Sequence, residues 1–362
     1  MAKKVYLGAG SEARKVHGAY VGFEEKARKV RRAYIGVGGV ARPCWGAERL
    51  ELYGTIPALD GPVNNVATTN GNYALFFTYS GANTAYDRNL TKTLTAQKQS
   101  FDAWGAATAS IGQYMILAGG SAGGRTDAAA YDNDLTLLAL PGLSSAAREP
   151  NGSSATHHAI FAGGWPNNLS AVNAYDRNLT KTTTSLATGR CFFLPGGVSS
   201  VGEYGLVMGG LVYNTGSVTT VDAFNANMSR TTFNGLSQAR FQAGNACTDE
   251  YALMAGGSSV GEYGIHYGNV DVVDSNLTCR PLDQLSVNRQ WCCGTAAHGQ
   301  FLFTGGGNSG GQLDNVDLYD ANLTHWVLDP LPTSQFGHAS VTIGDYALTG
   351  GQAAETIYAY SM

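Results

Sequence analysis

Charge is scarce in this sequence: 14% of its 362 residues are Asp, Glu, Lys or Arg, against 44% hydrophobic residues. Proline numbers only 10, and no window approaches the roughly 20 consecutive apolar residues that a membrane-crossing helix requires. The N-terminus, Met1-Ala2-Lys3-Lys4-Val5-Tyr6, lacks the apolar run of a secretory signal. The expectation is a soluble chain, made in the cytoplasm, with no membrane insertion. Six cysteines (Cys44, Cys191, Cys247, Cys279, Cys292, Cys293) show neither regular spacing nor a Cys-x-x-Cys pair, so they read as reduced, mostly buried thiols. The seven histidines (His17, His157, His158, His266, His298, His325, His338) have no pairing at metal-ligand spacing.

Glycine and tyrosine, at 48 and 19 residues, are what the chain has in quantity, and they describe short strands joined by tight turns. An apolar run ending in two glycines recurs at Gly119-Gly120, Gly163-Gly164, Gly209-Gly210, Gly256-Gly257, Gly305-Gly306 and Gly350-Gly351, with spacings of 44, 46, 47, 49 and 45 residues. A degenerate copy, Tyr73-Ala-Leu-Phe-Phe-Thr78-Tyr79, precedes them. A period of about 40 to 50 residues fits one four-stranded propeller blade per copy, which makes seven blades.

Each copy has a second signature, as in Tyr86-Asp87-Arg-Asn89-Leu90-Thr91 and Tyr319-Asp320-Ala-Asn322-Leu323-Thr324. Asp-x-Asn after an apolar strand is turn chemistry: the Asp bonds the turn backbone, and Asn tolerates positive φ. Several of these turns also match Asn-x-Ser/Thr, but recurrence at one structural position speaks for turn geometry over glycosylation. The glycine pairs, the Tyr-Asp strands and the blade opening Phe336-Gly337-His338-Ala339-Ser340-Val341 resemble kelch repeats across about residues 50–362. The final copy is nearest to that pattern, with Trp326 at the kelch tryptophan position. The implied fold is all-β, a seven-bladed kelch-like β-propeller. Its last copy stops one strand short, and Leu50 to Leu59 is expected to supply the missing outer strand beside Thr356 to Tyr360, leaving no open edge.

With strands a to d counted outward, the b–c and d–a loops share one face, and these are the loops that vary. Loops on a rigid scaffold carry function. The candidate ligand residues are Trp165, Tyr213, Tyr263, Tyr267 and Trp291 with Arg148, Arg190, Arg240 and Arg289, because aromatics beside guanidinium groups suit sugars and carboxylates. A second reading has each Arg tying blades together through backbone carbonyls and Asp side chains. No catalytic, metal or cofactor site is expected: a kelch-type copper oxidase needs a Tyr, His and Cys set that the histidine spacing does not offer, and the Asp-box of sialidases is absent. A binding or structural module, not an enzyme, is the resulting expectation.

Residues 1–49 differ in kind, with 11 Lys and Arg against 4 Glu. A near-repeat offset by 14 residues, Ala13-Arg14-Lys15-Val16 and Ala27-Arg28-Lys29-Val30, points to a β-meander of about four strands. Arg28, Lys29, Arg31, Arg32 and Tyr34 are its candidate docking residues. Alternation of Lys and Arg with Tyr, Val and Ile favours a docking or oligomerising ribbon over a nucleic-acid contact. Lys26 to Trp45 resembles segments of phage and prophage tail-associated proteins of Gram-positive bacteria. That resemblance implies a virion tail protein that docks on other virion proteins through its arm, assembles as a homo-oligomer and presents the propeller to a host-surface glycan or protein. The alternative is an intracellular kelch-type interaction scaffold.

Overall fold

A computed structural model of the chain describes residues 6–9, 12–15, 19–23, 26–30, 32–37, 40–46 and 49–362, less 80, 122, 192–198, 260–264 and 353–354. Side chains are described from residue 49 onward, except those of 64 and 65. Every regular element among these residues is a β-strand. The chain divides into two compact units, Met1–Glu51 with Ser361–Met362, and Leu52–Tyr360.

In the first unit six strands are described where about four were expected, and they pair as three antiparallel hairpins: Tyr6–Ala9 with Glu12–Lys15, Ala19–Phe23 with Lys26–Val30, and Arg32–Val37 with Val40–Gly46. The 14-residue near-repeat runs across this pattern, since each copy joins the second strand of one hairpin to the first strand of the next. Arg28 and Lys29 lie on the strand Lys26–Val30, and Arg32 and Tyr34 on Arg32–Val37. Arg31 and all of these side chains lie outside the described residues.

The larger unit is the expected propeller, seven four-stranded antiparallel sheets. Blade 1 runs outward through Val63–Thr69, Tyr73–Thr78, Thr84–Asp87 and Lys92–Leu94, and blade 2 through Ala106–Ile111, Tyr114–Gly119, Ala128–Tyr131 and Leu137–Ala139. Blade 3 uses Asn151–Ser154, Ala159–Ala162, Ala171–Tyr175 and Lys181–Ser185, and blade 4 Ser200–Val201, Tyr204–Met208, Thr220–Phe224 and Arg230–Asn234. Blade 5 comprises Gly244–Cys247, Tyr251–Ala255, Val270–Asp274 and Cys279–Leu282, and blade 6 Cys293–Ala297, Gln300–Thr304, Val316–Tyr319 and His325–Leu328. Blade 7 takes Ala339–Ile343, Tyr346–Gly350 and Ile357–Ser361 from the end of the chain and its outer strand, Glu51–Ile56, from the beginning. The ring is therefore closed by strand pairing, and the inner strand of blade 7 packs on that of blade 1.

The core lies between blades. Leu59, Val63 and Phe76 of blade 1 interlock with Val341, Leu348 and Ile357 of blade 7, and the same kind of layer recurs around the ring. Each Tyr-Asp strand contributes a buried ring, edge-on to a Phe of the second strand in Phe76–Tyr86, Phe161–Tyr175 and Phe303–Tyr319. The tyrosine hydroxyls donate to loop carbonyls, from Tyr175 to Pro141 at 2.5 Å and from Tyr319 to Asp283 at 2.6 Å, so no polar atom is stranded there.

The turn signature does what its chemistry demands, with one difference. Asp87 Oδ1 accepts from the amides of Asn89 and Thr91 at 2.8 Å each, and Asp320 repeats this with Asn322 and Thr324. Positive φ falls on the following Leu or Met, from 57° at Leu135 to 63° at Leu90, and not on the Asn. Leucine accepts that strained conformation because its side chain packs into the inter-blade layer, as Leu179 and Leu323 do.

Candidate functional site

Backbone bonds between blades set the register of the d–a loops. The second glycine of the first five pairs donates to one loop residue of the next blade: Gly120 to Ala147, Gly164 to Arg190, Gly210 to Arg240, Gly257 to Arg289 and Gly306 to Gln335. A Cβ at Gly257 would meet the Phe241 carbonyl at 2.7 Å, so glycine is required for this approach. Ala147, not Arg148, is thus the equivalent of Arg190, Arg240 and Arg289. Arg148 lies one residue further on, in the position of Cys191, Phe241 and Gln290, each of which bridges to the b–c loop of its own blade.

This shift separates the four arginines predicted to bind ligand. Arg190, Arg240 and Arg289 are 0% exposed. Each pairs with an Asp on the third strand of its own blade at 2.7 Å, Arg190 with Asp222, Arg240 with Asp271 and Arg289 with Asp317. Further donors go to carbonyls, as from Arg240 to Gln238 at 3.0 Å and to Met254 at 2.9 Å. These three are internal struts, which corrects their assignment to the ligand surface: a guanidinium bonded on several sides inside the blade cannot meet a solute. Blade 3 has Ala147 and Asn173 at the two positions, so charge and countercharge vary together between repeats. That covariation within one chain was the available signal. Burial alone would raise the Asp317 carboxyl, but hydrogen bonding from His325 and the charge of Arg289 bring it below the usual carboxylate range.

Arg148 remains near the surface. Its backbone pairs both ways with Trp165, at 2.7 and 2.8 Å, and its guanidinium carbon lies 5.4 Å from the ring centre of Trp104. Trp165 meets Tyr213 edge to face, with centroids 4.9 Å apart and planes at 73°. Asn168 fixes the last member by accepting from the Tyr213 amide at 2.7 Å, and Tyr213 is 49% exposed. Trp104, Arg148, Trp165 and Tyr213 therefore form one shelf across blades 2, 3 and 4. Trp104 escaped the sequence reading because its loop has no arginine, yet it shares the register of Arg148. Beside the shelf Glu149 is buried, which holds its carboxyl above the ordinary range against the opposing pull of Arg148 at 3.5 Å.

The other predicted residues are elsewhere on the ring. Trp291 stacks edge-on against Phe336 at 4.2 Å, and the hydroxyl of Tyr267 accepts from Gln238 at 3.2 Å in blade 5. Tyr263 lies outside the described residues. Histidines are dispersed: His338 is buried against Thr304, His325 bonds Asp317 and His298 sits beside Asp345. Among the described residues no three His, Cys, Asp or Glu side chains gather where they would hold a metal ion.

No protein-family model matches the chain, and no curated protein is significantly similar in sequence. Solved structures are similar in fold. One, titled Structure of YjhT, is 12% identical with a TM-score of 0.56, covering 72% of this chain and 95% of its own. Another, a fungal alcohol oxidase in complex with copper, is 14% identical with a TM-score of 0.60, covering 85% of this chain and 76% of its own. The oxidase overturns the expectation that the chain is not an enzyme, because a protein of this architecture carries out catalysis. At these identities the likeness extends to the fold alone: the chain is a seven-bladed β-propeller.

Proposed function

We propose that the propeller binds a carbohydrate of a bacterial cell surface on the shelf of Trp104, Arg148, Trp165 and Tyr213. One observation carries this: planar rings and a guanidinium from three blades are held side by side on the loop face, with Tyr213 half exposed. Aromatic faces stack on the apolar side of sugar rings, and a guanidinium grips hydroxyls or carboxylates. The basic arm supports a finer reading. Its resemblance over residues 26–45 to phage tail-associated proteins makes the chain a tail component, anchored by the arm to other virion proteins and presenting the shelf to the host.

The test is a bacterial glycan array probed with the full chain and with Tyr213→Ala. The proposal expects a defined set of bound glycans, weakened by Tyr213→Ala about 30-fold, which is about 2 kcal/mol for a binding hot spot. An array on which the two proteins bind alike would place recognition elsewhere.

A further inference from the structure

A second site lies on the propeller axis, away from the shelf. The inner strands surround a cavity of about 260 Å³ lined by Thr68, Thr108, Asn245, Thr295, Ser340 and Thr342, among others. Among the described lining residues none is Asp, Glu, Lys, Arg or His. Cys247 also lines it, and burial holds its thiol above the usual cysteine range, so the wall carries no charge at neutral pH.

Three hydroxyl protons of this wall are already used. Thr108 donates to Ala67 O at 2.9 Å, Ser340 to Gly294 O at 2.9 Å and Thr342 to Ala296 O at 2.6 Å, each bond joining one blade to the next. Thr342 having given its proton away, the 2.8 Å contact between Thr295 and Thr342 is a bond that Thr295 donates. What these oxygens present to the cavity is lone pairs. Two further oxygens, Asn245 Oδ1 and the hydroxyl of Thr68, which keeps its proton as well as its lone pairs, are buried with no hydrogen-bond partner among the described residues. Asn245 is 7% exposed and Thr68 1%. A buried polar atom without a partner is costly, and two on the residues of one cavity wall mark a place where a solute completes the bonding.

From this arrangement we infer that the axial cavity binds an uncharged, donor-rich solute of monosaccharide or polyol size. An anion finds no cation there among the described lining residues. A bare cation has no carboxylate to repay its dehydration, in a space far wider than an ion. The volume lies just below the roughly 300–1,000 Å³ of pockets for drug-sized ligands, which suits a single sugar ring.

Calorimetric titration of the full chain with myo-inositol, galactose, N-acetylglucosamine and glycerol, against glucuronate, glucosamine and potassium chloride, tests this. At least one neutral probe should bind at least tenfold more tightly than every charged one. Asn245→Leu should weaken that probe at least tenfold with the urea midpoint unchanged or raised, because it deletes a stranded acceptor at nearly constant volume. Ala296→Leu, which narrows the cavity, should do the same, and Tyr213→Ala should leave the affinity as it was. Absence of heat with all four neutral probes overturns the inference. So does equal binding of a charged probe, or an affinity that falls with Tyr213→Ala and survives both cavity variants.

Discussion

Arg240→Ala separates an internal strut from a ligand contact. In the folded protein Arg240 gives Asp271 a 2.7 Å bond and donates to Gln238 O and Met254 O at 3.0 and 2.9 Å, all with no exposure of its side chain. Removing it leaves a buried carboxylate with only Ser237, whose amide and hydroxyl bond it at 3.1 Å each. Breaking a buried pair from one side costs about 3–5 kcal/mol. Blade 3 shows the compensated state, with Ala147 and Asn173 at the same positions and the Ser144 amide bonded to Asn173 Oδ1 at 2.8 Å. Arg240→Ala with Asp271→Asn copies that arrangement and should recover about 2 kcal/mol of the loss, a coupling within the range of contacting residues. Urea unfolding of the wild type, both single variants and the double variant measures the cycle. A single-variant loss below about 1 kcal/mol, combined with weakened glycan binding, would return Arg240 to the ligand surface and refute the argument.

Other outcomes follow from the same geometry. Burial first, and then the charge of Arg289, lower the pKa of His338 to about 3, whereas an unfolded chain protonates histidine near 6.5. Its contribution is fully present above about pH 6.5, and stability falls on acidification toward pH 3 by about 1.4 kcal/mol per pH unit from this residue. Chemical unfolding of His338→Gln across that window should show a flatter dependence by this amount. Deleting residues 357–362 removes the third strand of blade 7 and strands Glu51–Ile56, so calorimetry should show loss of cooperative melting; an unchanged melt contradicts closure. Removing residues 1–45 should leave a folded propeller by circular dichroism and, if the chain is the tail component proposed above, abolish its assembly with other virion proteins.

The fold was legible because a blade is a fixed length of chain, and because Gly-Gly, Tyr-Asp and Asp-x-Asn each serve a backbone need that repeats at every turn. Closure was legible for a related reason, since a final copy one strand short must borrow from the other end. The site was less so. Loop lengths vary between blades, so Arg148 was aligned with Arg190 when its true equivalent is Cys191, and Trp104 went unseen beside it. Which arginines were internal depended on the partner Asp a strand away, a pairing that only comparison between the blades brings out. The axial cavity was invisible in sequence, because Thr, Ser and Ala alternating along an inner strand look like any short strand. Only the register shows which hydroxyls have spent their protons.

The tryptophans report directly where a glycan lands. The chain has five, Trp45, Trp104, Trp165, Trp291 and Trp326, so 5-fluorotryptophan labelling yields five assignable ¹⁹F resonances. Adding a glycan selected on the array should shift Trp104 and Trp165 and leave Trp326, on the outer strand of blade 6, where it was. Shifts confined to Trp326 or Trp45, with Trp104 and Trp165 unmoved, would contradict the shelf and move recognition to the rim or the arm.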